Sequence, residues 1–210
     1  MEIIPKPVAL ICEGSTDKIV LTELCEKEKF GNITIIDSCG VDRFPDAIAT
    51  ILRETRPIDL TRIAVVCDAD KSFESRRESI LKVFRQFDLP LTDTPGLLSE
   101  KRKVNTKEGK EFLIDTAYFI LPDNASSGNL EGLLFSTLDE KTKGCIDKFI
   151  VCAEFNDPVR LFKAKIAAYM AISVRDLYKT LNYAIKENIF NFDNQSFGEI
   201  KKFLKLINRV

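Results

Sequence analysis

Two short apolar runs, each ending in acid, constrain this chain more than any other feature. Residues 8–12 read Val-Ala-Leu-Ile-Cys, and residues 62–67 are centred on Ala64, Val65 and Val66. A strand with one wet face would alternate polar and apolar side chains. An unbroken run of this length predicts a strand buried on both faces of a parallel sheet. Parallel neighbours need long crossovers, and helical patterns follow both runs.

Gly14, Ser15 and Thr16 predict a tight turn, and Ile19, Val20, Leu21 and Leu24 a helix that closes over residues 26–29. Residues 33–36 form a second short strand. Pro45 suits the first turn of a helix carrying Ile48, Ile51 and Leu52. Residues 72–87 predict an amphipathic helix with Ile80, Leu81, Val83, Phe84 and Phe87 inward. Residues 92–115 break the pattern with a basic stretch, read as a hairpin around Glu108 and Gly109. A strand resumes over 117–121, a polar loop fills 122–128, and a helix spans 129–138. The remainder is helical, near 146–154, 158–172, 174–188 and 198–208.

The expected fold is therefore α/β: a central, mostly parallel sheet of Rossmann-like type, flanked by helices, with a helical C-terminal region. A length of 210 residues fits one domain. Residues 1–135 make the core with a basic insertion near 92–115, and residues 136–210 pack on the same domain. In such sheets ligands collect beyond the carboxyl ends of the strands.

The chain contains no histidine. That removes Ser-His-Asp and Cys-His catalysis, histidine-ligated zinc and histidine as a general base. Hydrolytic chemistry must then rest on carboxylates, lysine and a hard metal. The six cysteines form no C-x-x-C pair and are expected to be reduced thiols buried in the core. No apolar run approaches the roughly 20 residues of a membrane span, and the start, MEIIPKP, has no basic or apolar leader pattern. A cytoplasmic protein without membrane contact is expected. Net charge is −1, but Lys101, Arg102, Lys103, Lys107 and Lys110 cluster, as do Lys201, Lys202, Lys205 and Arg209. Each cluster reads as solvated surface, with phosphate-backbone contact as the sharper alternative.

Three acidic elements follow apolar strands: Glu13 with Asp17, Asp68 with Asp70, and Glu131 after Ser127-Gly128-Asn129-Leu130. In D-x-D the two carboxylates leave an extended chain on opposite sides, unless the backbone turns between them, as it can at a strand end. Neighbouring carboxylates raise one another's pKa, and a divalent cation compensates their charge. Oxygen-only ligation selects Mg²⁺, Mn²⁺ or Ca²⁺ over zinc or copper. The competing reading is a capped and solvated acidic rim.

VALICEGSTDKIVLTEL followed by RIAVVCDADKS resembles the Toprim fold of topoisomerases, bacterial primases, small RNA-processing nucleases and OLD-family nucleases. The resemblance matches Glu13 to the glutamate of the first motif and Asp68 and Asp70 to its D-x-D. Lys71, Ser72 and Phe73 depart from the topoisomerase and primase pattern, which usually adds an acid or glycine there. Asp17 and the Ser127–Glu131 stretch are similar to the OLD-type branch, which implies a two-metal nuclease site and a helical tail carrying a lysine. FILPDNASSGNLEGLLF, KAKIAAYMA and IFNFDNQSFGEIKKFLKLI further resemble small stand-alone Toprim-like proteins.

The resemblance implies two Mg²⁺ or Mn²⁺ ions, about 3.5–4 Å apart in such schemes. Glu13, Asp68 and Asp70 would hold the first, and Asp17 and Glu131 the second. Asp123 is an added candidate, against a turn-fixing role. Lys163 and Lys165 are candidates to steady phosphate charge. With Val159, Phe162, Ile166 and Met170 as the buried stripe, Lys163 lies nearer its edge. The expected activity is metal-dependent cleavage of DNA or RNA, in repair, RNA processing or phage defence. The alternative is a non-catalytic scaffold serving a separate ATPase, since the chain lacks the G-x-x-x-x-G-K-[ST] loop. Primase-like nucleotidyl transfer ranks third.

Overall fold

A computed structural model describes residues 6–158, 160–173 and 180–210. Five strands, β1 (Val8–Cys12), β2 (Ile33–Asp37), β3 (Arg62–Asp68), β4 (Arg102–Asn105) and β5 (Glu111–Leu121), form one sheet in the order β2-β1-β3-β5-β4. The first four in that order are parallel, and β4 is antiparallel to β5 at the edge. The helices are α1 (Ser15–Lys27), α2 (Phe44–Glu54), α3 (Phe73–Gln86), α4 (Leu130–Ser136), α5 (Glu140–Cys152), α6 (Leu161–Ser173), α7 (Leu181–Lys186) and α8 (Gly198–Ile207).

The apolar runs are explained by two cores, one on each face of the sheet. Val8, Leu10, Cys12, Ala64, Val66, Phe119 and Leu121 point to one side, where α1 and the C-terminal helices cover them. Ala9, Ile11, Ile63, Val65, Cys67, Tyr118 and Ile120 point to the other, beneath α2 and α3. Alternation is present, but both destinations are dry, so the sequence shows no polar half. Each fully buried Leu, Ile or Phe contributes about 1.5–3 kcal/mol.

The C-terminal helices share the first of these cores. Helix α8 buries Ile200, Phe203, Leu204 and Ile207, the spacing of one helical face, and Phe203 meets the Phe119 ring at 5.4 Å. Its far end is fixed by Arg62. That guanidinium bonds both oxygens of Asp115, at 2.5 and 3.0 Å, and donates to the carbonyls of Ile207 and Arg209. A buried charge is tolerated here because its donors meet a carboxylate and the carbonyl end of a helix.

Several expectations need correction. Gly14 is the N-cap of α1, so its turn is only the entry to a helix that already begins at Ser15. The last strand starts at Glu111 rather than 117, because the expected hairpin pairs β4 with its first half. The basic cluster is largely absorbed by that hairpin: Arg102 bonds Asp88, Lys103 meets Glu111, and Lys110 caps the last carbonyls of α2, those of Leu52, Arg53 and Thr55. Only Cys12, Cys25 and Cys67 are buried; Cys39, Cys145 and Cys152 are exposed, and all six are free. The latter lie on a loop and on the wet side of α5. Of the helix expected over 174–188, the first six residues lie outside the described residues, as does Val159 of the proposed stripe. Among the described residues no helix is long and apolar enough to cross a membrane.

Candidate functional site

From β1 the chain runs through α1 to β2 on one side, then returns to place β3 on the other side of β1. The order of strands reverses at that pair. Crevices at such switch points, beyond the carboxyl ends, are where α/β sheets bind ligands. Glu13 follows β1 directly, and Asp68 is the last residue of β3.

Glu13 is half-buried, and its Oε2 is buried without a hydrogen-bond partner. Asp17 lies in the first turn of α1 and is 9% exposed. Its Oδ2 accepts from the Gly14 amide at 3.1 Å, which closes the helix start, but its Oδ1 is buried and unpartnered. One oxygen thus serves the helix while the other faces nothing that satisfies it. An orphaned buried acceptor costs about 1–3 kcal/mol, more when charged.

Asp68 reaches across to a third element. Its Oδ1 accepts from the Leu130 amide at 2.9 Å, at the first turn of α4, whose N-cap is Asn129. Glu131, the next residue of that turn, is mostly buried and has Lys163 Nζ at 3.9 Å from its Oε1. The loop is held in place by backbone. Asp70, at φ +51°, exchanges two hydrogen bonds with Gly128, at 2.7 and 3.0 Å. Gly128 has φ +151°, and a Cβ there would stand 3.1 Å from the Pro122 ring, so no other residue fits without strain.

The acids respond to this crowding. Burial, then the charge of Glu13, pushes the Asp17 carboxyl up to about 7. Burial also raises Asp68 well above the usual carboxylate range, helped by Asp17, Glu13 and Glu131. Glu13 is raised by burial, although the Arg76 guanidinium opposes it. Four carboxylates from three segments therefore feel one another at one mouth: Glu13, Asp17, Asp68 and Glu131.

The remaining candidates separate clearly. The Asp70 carboxylate is exposed and turns outward to Arg76 at 2.7 Å, so it contributes its backbone more than its charge. Asp123 fixes its own turn, accepting from the amides of Ala125 and Ser126 and from the Ser126 hydroxyl. Partial burial raises its carboxyl, but those bonds outweigh it and hold the group below the usual range. Lys165 points away, paired with Asp147 at 2.8 Å and lying over the rings of Phe135 and Phe162. Lys163 alone of the two lysines faces the acids.

Oxygen-only donors and two orphaned buried oxygens suit a hard divalent cation. As the side chains stand, however, no three carboxylate or thiol groups among the described residues are arranged to hold a metal ion. The acids ring the mouth without closing on it.

Arg76 was not legible as part of the site. Its signal is Ser72, which caps α3 through the Ser75 amide and so starts a helix that carries Arg76 back over the D-x-D loop. Gly128 and Asn129 were visible as the end of a polar loop and the start of a helix within the Ser127–Glu131 stretch, but not as the contacts that hold the loop in place.

The profile of a family described as "Protein of unknown function (DUF3226)" matches residues 7–208. No curated protein and no solved structure matches the chain.

Proposed function

We propose that this chain, which belongs to the DUF3226 family, is a Mg²⁺- or Mn²⁺-dependent phosphodiesterase acting on DNA or RNA. The observation that carries the reading is the meeting of Glu13, Asp17, Asp68 and Glu131 at the β1/β3 switch point, with two of their oxygens buried and unsatisfied. The motif resemblance to Toprim nucleases supports it, as does the lack of histidine, which leaves carboxylates and a hard metal as the available hydrolytic apparatus.

Glu13 and Asp17 would hold cation through their orphaned oxygens, and Asp68 and Glu131 would complete the set. Bound Mg²⁺ or Mn²⁺ supplies Lewis-acid polarisation of a phosphoryl oxygen and lowers the pKa of water. Asp17 and Asp68 keep their aim because amides of Gly14 and Leu130 hold one oxygen of each. Lys163, exposed above Glu131, is placed to meet phosphate charge. Arg76 offsets part of the negative charge of the mouth and fixes Asp70.

The test is cleavage of DNA and RNA panels by the purified protein with Mg²⁺ or Mn²⁺. Wild-type cleavage that disappears in Asp68→Ala supports the reading; cleavage that survives this substitution sinks it.

A second reading rests on the partners of the two D-x-D acids. Asp68 already holds the first amide of α4, and Asp70 already pairs with Arg76, so both D-x-D acids have structural work. A non-catalytic scaffold that serves a separate ATPase would need nothing more from them. Co-purification with an ATPase, and no cleavage alone, would favour it.

A further inference from the structure

A cleft of about 490 Å³ lies between α8 and the loop at residues 95–97, outside the acidic mouth. Three of its lining side chains are Lys202, Lys205 and Arg209. Spacings of three and four residues put them on one face of α8 and its continuation. All three are exposed. Lys202 is held by Glu199 at 2.7 Å, whereas Lys205 and Arg209 have no acidic partner among the described residues. With Glu199 as the only acid among the described residues of the lining, the cleft is positive within a chain whose net charge is −1.

The opposite wall is built tightly. Gly96 has φ +80°, and a Cβ there would meet Asn124 Nδ2 at 2.9 Å. The Gly96 amide bonds the Tyr118 carbonyl of β5, which fixes the wall to the sheet. Asn124 is fixed in turn, since its Oδ1 accepts from the Ile120 amide at 2.7 Å.

The ends of the cleft give its direction. Asn124, at one end, is bonded to Ile120, next to the Leu121 that pairs with Asp68 in the β3–β5 ladder. Arg209, at the other, bonds through its carbonyl to Arg62, the first residue of β3. The cleft therefore runs alongside the sheet, from the carboxyl edge that bears the acids to the opposite edge. A row of three cations, two of them without an acidic partner among the described residues, leading toward the proposed catalytic mouth suits a long polyanion better than a single small one.

We propose that this cleft holds the phosphate backbone of a nucleic-acid strand, with Lys205 and Arg209 as the principal contacts. The proposal rests on the phosphodiesterase reading for its choice of ligand, but it is tested without catalysis.

The experiment is fluorescence anisotropy of labelled single-stranded DNA and RNA oligonucleotides, in EDTA, across a salt series. Wild type and the double variant Lys205→Ala/Arg209→Ala are compared, with thermal melts as fold controls. The double variant should melt as wild type, bind about tenfold more weakly, and lose about 1.4 from the log–log salt slope, at ~0.7 per strand phosphate contact. Unchanged affinity and slope in the double variant overturns the proposal, as does displacement of the oligonucleotide by inorganic phosphate at sub-millimolar concentration. Weakened binding in the double variant with no cleavage by wild type keeps the cleft and removes the nuclease. Unchanged binding in the double variant, with cleavage intact in wild type, does the reverse.

Discussion

Asp68 Oδ1 accepts a 2.9 Å hydrogen bond from the Leu130 amide, tying the end of β3 to the start of α4 across 62 residues of chain. The same carboxylate lies among Asp17, Glu13 and Glu131, which raise its pKa after burial has done so. Its capping and charge roles can be separated by substitution. Asp68→Asn keeps an acceptor for the amide and removes the charge, and Asp68→Ala removes both. Alanine should cost about 1 kcal/mol, as for a lost hydrogen bond at a helix start, and asparagine should be at least as stable as wild type in the absence of metal. Urea denaturation in EDTA reads this difference. Cleavage should be lost in both variants.

The raised carboxyls make stability fall with pH. A carboxylate whose folded pKa exceeds its unfolded value binds more protons in the folded state. Asp17, moved from 3.8 to about 7, thus contributes stability that is full below about pH 4 and lost as pH rises through about 7. Glu13 and Asp68 act in the same direction. In EDTA the unfolding free energy should decline from pH 5 to pH 8, by an amount on the order of a few kcal/mol. Asp17→Asn should flatten the decline. A profile that rises over this range contradicts the crowding of these acids.

Added metal should reverse that loss. A ligand at a hundred times its Kd adds about 2.7 kcal/mol, and each kcal/mol raises Tm by roughly 2–4 °C in a domain of this size. Mn²⁺ at pH 8 should therefore raise Tm by several degrees. The double variant Glu13→Gln/Asp17→Asn should lose most of this shift, because it neutralises the two orphaned oxygens. Calorimetric scans with and without EDTA measure it.

The two lysines should fail in different ways. Lys165 is 15% exposed, salt-bridged to Asp147, and over two aromatic rings. Lys165→Ala should cost about 1 kcal/mol of stability while the folded protein keeps its activity. Lys163 is 63% exposed and faces Glu131. Lys163→Ala should leave Tm within a degree or two and lower kcat about a hundredfold, the scale of losing one charge-stabilising donor.

Removing Arg62 should be the most damaging substitution away from the mouth. Arg62→Ala leaves Asp115 charged and buried and frees the end of α8. Breaking such a pair typically costs about 3–5 kcal/mol. Hydrogen exchange should show α8 losing protection before the sheet does.

The apolar runs at 8–12 and 62–67 were enough to establish a parallel sheet. With no polar position in the first and almost none in the second, neither could face water. The same runs put Glu13 and Asp68 at strand ends, so the neighbourhood of the candidate site was legible from the primary structure. The helical faces of α2, α3 and α8 were legible for a similar reason: each needs only local periodicity to bury its apolar side chains.

What the chain order could not supply was contact between distant segments. D-x-D suggests two equal carboxylates, yet the left-handed backbone at Asp70 sends one to Arg76 and leaves the other beneath α4. Sequence placed Lys163 nearer the edge of the apolar stripe than Lys165 without settling their partners, and the packing of α6 against α4 and α5 directs one to Glu131 and the other to Asp147. The Arg62–Asp115 pair was invisible because its members are 53 residues apart, and Asp115 fell in the basic stretch 92–115 rather than on a strand. Periodicity records which face of an element is dry. Which charges meet is decided by the approach of one element to another, and this exists only once the chain has folded.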